Sequence, residues 1–401
     1  MELNKLQTFK SEVQDELVNN ILPFWSEKMI DKANGGFLGR IDGSGRIYND
    51  ADKGCVLNAR ILWTFSSAFR VLKNPDYLKI AERSKDYLLK HFFDNEYGGV
   101  YWLLNHRGEM KDGKKQIYAQ AFAIYGFTEY YRVTKDNTCL DKAIELFHLI
   151  EKFSYDEKLG GYFEAFNREW EQLDDLRLSA KDANEKKTMN THLHVLEAYT
   201  NLYRVWKDDF LKKQLRNLIG NFTDKIVNGD TYNLNMFFDE EWNDKTDLVS
   251  YGHNIESSWL IYEAALVLND DLISEKVKKI CLRIADSSIE GIMLDGSMIY
   301  EKFFNSERKD TDRHWWVQAE TVVGFMNAYV LSGKKEYLDR SLAAWEFIKD
   351  HIIDGKNGEW YWSVNDRLQP NLNEDKAGFW KCPYHNSRMC LEIIEKNSII
   401  L

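Results

Sequence analysis

The run YGGVYWLL from Tyr97 and the run LGGYFEAF from Leu159 share one plan: a glycine turn, then aromatic residues in alternation. The plan recurs as NGGFLGRID from Asn34 and GEWYWSVN from Gly358, and more weakly as YNLNMFFDEEWN from Tyr232 and GSMIYEKFF from Gly296. A short unit returning at near-constant intervals marks a repeat architecture. The interval is sixty-odd residues, with one longer stretch in the middle, and six copies fit the chain.

Between copies the sequence reads as helix, break, helix. Residues 55–72 and 76–92 form the first pair, with apolar positions three and four apart. The first helix of each pair is apolar nearly all round, as in VQAETVVGFMNAYVL from Val317, which predicts burial. The second is amphipathic, as in KEYLDRSLAAWEFIKDHI from Lys335, which predicts a helix facing solvent. Six buried helices ringed by six exposed ones predict an all-α fold, an (α/α)6 barrel with short β-hairpin loops. An open helical solenoid is the alternative; six units with a buried inner layer favour closure. No linker or low-complexity stretch interrupts residues 1–401, so one catalytic domain is expected.

Bulk properties exclude several classes. The formal net charge of −11 over 401 residues argues against nucleic acid and anionic membranes. No run is long and apolar enough for a membrane span, and the charged start MELNKLQTFKSEVQDEL lacks a signal-peptide core, so a cytoplasmic protein is expected. The five cysteines are scattered without a CxxC pair, and no HExxH motif occurs, so neither a disulfide framework nor a metal is expected. Only 4 prolines occur, which suits helices, while 13 tryptophans suit either a large aromatic core or a cavity whose rings stack on sugars.

Unusual polar residues gather near the starts of the inner helices. Arg60 lies in GCVLNARILW, Tyr118 in KQIYAQAFAIYGF, and Asn190 and His194 in TMNTHLHVLEAYTNLY. His253 and Glu256 lie in SYGHNIESSWL, Trp316 and Glu320 in HWWVQAETVVGF, and Trp380 and His385 in GFWKCPYHNSRMCLEI. Helical spacing puts Asn190 with His194, His253 with Glu256, and Trp316 with Glu320 on shared faces. His192, two residues from His194, points roughly the opposite way, so at most one of the two enters a pocket. His91, His106, His148, His351, His192 and His314 are read as surface or core histidines, and Trp63, Trp102, Trp206 and Trp345 as core.

The segments NTHLHVLEAYTNLY, SYGHNIESSWL, WWVQAETVVGF and FWKCPYHNSRMCLEI, in this order, resemble the N-acylglucosamine 2-epimerase superfamily, and within it the cellobiose 2-epimerase branch. The resemblance covers essentially the whole chain. It implies epimerisation at C2 of a reducing-end glucose without a cofactor. It implies catalytic importance for Arg60, His194, His253 and His385, and sugar subsites lined by Trp316 and Trp380. One departure is Asn254, where relatives often carry Asp.

The residue types suit that reaction. Ring opening puts a carbonyl at C1, which makes the C2 hydrogen acidic. Histidine, with an ordinary pKa of about 6.5, serves as proton acceptor and donor near neutrality. Arg60 supplies a permanent cation for the developing oxyanion. Tyr118, Asn190 and His194 are candidates for holding sugar oxygens, and Glu256 and Glu320 for orienting histidines in the substrate pocket. The expected partner is a disaccharide such as cellobiose, lactose or a mannobiose-type sugar, with the protein a monomer or weak homo-oligomer. Other readings are an N-acylglucosamine 2-epimerase or a monosaccharide aldose–ketose isomerase. From outside the class come a glycoside hydrolase using Glu256 and Glu320, and a non-catalytic sugar-binding protein.

Overall fold

A computed structural model of the chain describes residues 2–304, 306 and 308–400, with side chains from 4 to 395 among them. Twelve α-helices alternate between two layers. The outer layer is α1 (Glu2–Glu16), α3 (Pro75–Tyr87), α5 (Asn137–Phe153), α7 (Asp209–Asn221), α9 (Asp271–Ser288) and α11 (Lys335–Phe347). The inner layer is α2 (Cys55–Leu72), α4 (Ile117–Thr134), α6 (Met189–Val205), α8 (Tyr251–Leu268), α10 (Trp315–Ser332) and α12 (Tyr384–Ile400). Each inner helix packs on the next, and α12 packs on α2, so the (α/α)6 ring closes.

Burial follows the sequence pattern. The inner helix α10 buries every residue from Trp315 to Ala328. The outer helix α11 buries one stripe: Tyr337, Leu338, Ser341, Ala344, Trp345 and Phe347. Links from inner to outer helix are short and follow one grammar. Lys73, Lys135, Asn269 and Gly333 each end an inner helix in the left-handed conformation. Asn74, Asp136, Asp208 and Asp270 then cap the outer helices by accepting backbone N–H bonds.

The glycine turns are narrow hairpins, each closed by one bridge: Ile30 with Phe37, Phe93 with Val100, Tyr155 with Tyr162, Val227 with Leu234, Ile292 with Met298 and Ile353 with Trp360. Beyond each hairpin the chain pairs with the segment that enters the preceding inner helix. Lys53–Gly54 pairs with Leu103–Leu104, Lys115–Gln116 with Ala165–Phe166, and Lys187–Thr188 with Phe237–Phe238. Leu248–Ser250 pairs with Glu301–Phe303, Arg313–His314 with Ser363–Val364, and Asp375–Ala377 returns to Arg40–Asp42. The ladders thus close into a ring around the N-terminal mouth of the barrel.

Buried ion pairs pin four of the hairpins. Lys53 reaches Asp31 at 2.7 Å, Lys115 reaches Asp94 at 2.9 Å, Lys187 reaches Asp156 at 2.7 Å, and Lys376 binds Asp354. Each aspartate also accepts backbone N–H bonds from its own turn. The fourth hairpin has Asn228 in the aspartate position and Val249 in the lysine position, so both charges are missing together. That is the pattern burial demands, because an unpaired buried charge is far costlier than none. Tyr232 there takes the left-handed conformation that Gly98, Gly160 and Gly358 adopt elsewhere, with φ at 59°. These replacements explain why the fourth copy of the motif is faint.

Candidate active site in the barrel mouth

One register organises the inner helices. A polar side chain in the first turns of each one holds backbone near the mouth. Gln120 accepts from Val100 N–H and donates to Val100 C=O, both at 2.8 Å. Gln318 does the same for Met298. His192 accepts from Tyr162 N–H at 2.9 Å, and Asn254 accepts from Leu234 N–H at 3.0 Å. Asn386 reaches its hairpin through Glu359, and Asn58 donates to Gly54 C=O. His192 is therefore part of the framework, with Nδ1 bonded to Thr188 C=O.

Two residues beyond each of these lie Arg60, Phe122, His194, Glu256, Glu320 and Arg388, all buried. Nearly one turn towards the mouth lie Tyr118, Asn190, His253, Trp316 and His385. The histidine pair on α6 thus splits, with His194 on the cavity side.

Arg60 is buried, and among the described residues it has no carboxylate partner. It donates to the Tyr118 hydroxyl at 2.7 Å and to Cys382 Sγ at 3.4 Å. The rings of Phe122 and Tyr384 lie 4.1 and 4.6 Å from the guanidinium carbon. Tyr118 in turn stands 5.9 Å, ring to ring, from the half-buried Trp380. Asn190 is half-buried, and its Oδ1 has no hydrogen-bond partner among the described residues.

Three histidines commit Nδ1 to the protein and leave Nε2 for a ligand. His194 bonds Glu197 at 3.0 Å, His385 bonds Glu320 at 2.8 Å, and His253 bonds the Ser250 hydroxyl at 2.8 Å. A carboxylate partner fixes the Nδ1–H tautomer and presents the Nε2 lone pair. The Trp316 indole touches two of them, with centroids 4.8 Å from His253 and 5.5 Å from His385.

Beneath these rings sits a charged floor. Arg388 binds Glu256 at 2.5 Å and Glu320 at 2.6 Å through one nitrogen, and Glu197 and the Tyr384 hydroxyl through the other. Trp259 donates to Glu320 at 3.0 Å. His253 and Glu256 share the cavity face without bonding each other; Glu256 lies instead 3.8 Å from His385. Carboxylate oxygens of Glu256 and Glu320 and a nitrogen of His385 lie within 4.8 Å of one another. Arg388 fills the position between the two carboxylates, so this trio does not suit a metal.

Burial sets the protonation states. It holds His253 down at about 3 and His194 at about 4, and drives His385 well below the ordinary histidine value. All three are neutral near pH 7, ready to accept a proton. Burial pushes Glu256 up to about 8, aided by Glu320, whose carboxyl is raised in the same way. Burial also opposes ionisation of Glu197, yet Arg388 and His194 hold that carboxyl at about 2. One guanidinium cannot keep three adjacent carboxylates charged.

Sequence reasoning missed Glu197, Tyr384, Arg388, Trp259 and Ser250. The available signal was spacing: Glu197 and Arg388 each follow a site histidine by three residues, and Ser250 precedes one by three. A concavity of about 660 Å³ lies at the opposite mouth among Arg132, Lys135, Arg204, Lys207 and Glu263. It lies at the helix C-termini, where basic residues are favoured, and Arg132 and Arg204 are already paired with Glu129 and Glu263. The histidine cluster, where acid/base groups converge, is the better candidate for chemistry.

The family model for N-acylglucosamine 2-epimerase (GlcNAc 2-epimerase) matches residues 36–388. The chain is 54% identical over 388 residues to a cellobiose 2-epimerase of Bacteroides fragilis, covering 97% of this chain and 99% of that protein. It is similar to the solved structure of cellobiose 2-epimerase from Bacillus thermoamylovorans, at a TM-score of 0.93 and 44% identity, covering 97% of this chain and 100% of that one. A solved D-mannose isomerase shares the fold at a TM-score of 0.84 and 19% identity, covering 96% of this chain and 97% of that one.

Proposed function

Because the chain belongs to the N-acylglucosamine 2-epimerase family, we propose that it is a cellobiose 2-epimerase. It interconverts glucose and mannose at the reducing end of β-1,4-linked disaccharides, taking cellobiose to glucosyl-mannose and lactose to epilactose. The observation that carries this reading is the buried, acid-free guanidinium of Arg60 beside three neutral histidines.

The chemistry follows from those groups. Once the sugar ring opens, a histidine Nε2 takes the C2 proton. The C–H electron pair forms the C1–C2 double bond, and the carbonyl π pair moves onto O1. Arg60 faces the charge that develops there, and a preorganised donor of this kind contributes several kcal/mol of transition-state stabilisation. Reprotonation from the other face of C2 completes the inversion. His253 and His385 flank Trp316 and serve the two faces. Their Nδ1 partners differ: His385 has the carboxyl of Glu320, and His253 has the hydroxyl of Ser250. His194, Asn190 and Tyr118 hold sugar oxygens, and Trp316 and Trp380 carry the two sugar rings. Glu320 orients His385, and Glu256 stands behind the same imidazole.

The site is complete within one chain, which suits a monomer or weak homo-oligomer acting as a single catalytic domain. No described helix is long and apolar enough to cross a membrane. A cytoplasmic location fits the sequence. A hydrolase reading fits less well. Paired catalytic carboxylates stand about 5–9 Å apart around the scissile bond. Glu256 and Glu320 are instead buried and share one Arg388 nitrogen.

The test is product analysis by NMR with cellobiose in D₂O, after exhaustive dialysis against EDTA. The expected product keeps its glycosidic bond and carries deuterium at C2 of a mannose unit. Free glucose, an unlabelled C2 or dependence on a restored divalent ion would overturn the reading.

A further inference from the structure

The geometry points to Arg388 as a positioning residue: a built-in cation that locks three carboxylates so that His194 and His385 both present an Nε2 base to the sugar. The inference deepens the epimerase reading and rests on it. Arg388 never faces the cavity opening; it is 1% exposed and lies behind the histidines.

Glu197, Glu256 and Glu320 come from three different helices, α6, α8 and α10, and are 3%, 1% and 1% exposed. Carboxylates removed from water and placed side by side repel, and without a cation at least one would turn away or leave the cluster. Arg388 extends from α12 to all three. Its planar fork offers two donor nitrogens in fixed directions, which a lysine cannot reproduce. One nitrogen serves the Glu197 side and the other the Glu256 and Glu320 side. The Trp259 ring lies 4.8 Å from the guanidinium carbon and prevents it from swinging away.

Two of those carboxylates grip imidazoles. Glu197 holds Nδ1 of His194 and Glu320 holds Nδ1 of His385. The two dyads stand on different helices, and Arg388 is the group that ties them together. When His385 takes the C2 proton, it becomes an imidazolium in a site already holding two guanidinium groups. Arg388 therefore sets both the aim of each imidazole and the electrostatic cost of charging it. In cofactor-dependent enzymes a metal ion often fills such a place among carboxylates and histidine; here a side chain does.

The test uses the full-length protein with cellobiose and two variants. The charged and titratable groups around His385 are Arg60 on α2, Glu197 and His194 on α6, Glu256 on α8, Glu320 on α10, and Arg388 on its own helix. Arg388→Lys keeps the charge and loses the fork. It is expected to lower kcat by about 10²-fold with KM within about threefold, leaving the acid limb of the kcat–pH profile in place. Arg388→Met removes the charge. Losing a nearby cation makes His385 easier to protonate, so the acid limb is expected to move to higher pH. If Arg388→Met does not fold, Arg388→Met/Glu256→Gln removes one carboxylate with the cation and is read in its place. A merely structural arginine would scale kcat without moving the limb, and that result would overturn the proposal, as would a wild-type kcat in Arg388→Lys. The wild-type protein, run alongside for C2 deuteration, shows separately whether the epimerase reading itself fails.

Discussion

His385 donates from Nδ1 to Oε1 of Glu320 at 2.8 Å, whereas His253, which also contacts Trp316, has the hydroxyl of Ser250 as its Nδ1 partner. The two imidazoles are thus unequal. His385→Asn and His253→Asn are each expected to lower kcat by about 10²–10⁴-fold while KM stays within a few-fold. Asparagine keeps polarity and approximate size but cannot titrate. Single-turnover exchange in D₂O separates the roles: a variant that still exchanges C2–H without epimerising retains its abstracting base. Near wild-type epimerisation by both variants would remove them from the mechanism.

Trp316 contacts both imidazoles and offers the flat face nearest the chemistry. Trp316→Ala is expected to weaken sugar binding by about 1 kcal/mol or more, read as a rise in KM for cellobiose. Trp380, half-buried and further out beside Tyr118 and Trp102, is expected to affect disaccharides more than glucose when replaced by Ala. Equal effects of Trp380→Ala on glucose and cellobiose would place its ring outside the second subsite.

The neutral fourth hairpin supplies a design for the first. Lys53→Val alone leaves Asp31 buried and unpaired, and is expected to destabilise by roughly 3–5 kcal/mol. Lys53→Val with Asp31→Asn reproduces the Asn228 and Val249 pairing, in which asparagine still accepts the turn N–H groups. The double variant should recover most of the loss in urea denaturation. Additive losses would show that the pair is not coupled.

Buried histidines and a buried glutamate give stability opposite dependences on pH. Burial holds His192 and His194 at about 4, so their contribution is full above the ordinary histidine value and is lost as pH falls towards 4. Burial pushes Glu164 up to about 8, where it accepts from Thr188 N–H and the Thr191 hydroxyl at the start of α6. That contribution is full in acid and is lost as pH rises through about 8. Glu164→Gln is expected to remove the decline that runs from the ordinary glutamate value up to about pH 8, so that Tm rises more steeply with pH where the histidines titrate. An unchanged Tm–pH slope over that range would exclude Glu164 as a contributor.

The fold was legible because glycine turns leave a signal that side-chain variation does not erase. Where the signal faded, at Tyr232, the cause is a tyrosine in a left-handed conformation and the loss of both members of an ion pair. Arg60, the site histidines and Trp316 stood out because polar or aromatic groups at the start of an apolar helix need a reason. Arg388 and Glu197 did not stand out. A lone charge inside a helix reads as a solvated face until its register against the hairpin-binding positions shows that it points inward. The placement of His253 and Glu256 on one face used helical spacing alone; spacing fixes a shared face but not a bond, and Arg388 draws Glu256 away.

The two-residue offset between the hairpin-binding positions and the cavity positions separates architecture from reactivity. Asn58, Gln120, His192, Asn254, Gln318 and Asn386 secure backbone near the mouth, so altering them risks the scaffold. Among the described residues, the side chains of Arg60, His194, Glu256, Glu320 and Arg388 bond other side chains instead. His194, Glu256, Glu320 and Arg388 are tied to one another directly or through Glu197, so a directed-evolution library there has to vary them together; it would search for new sugar chemistry while leaving the backbone bonds of the mouth intact.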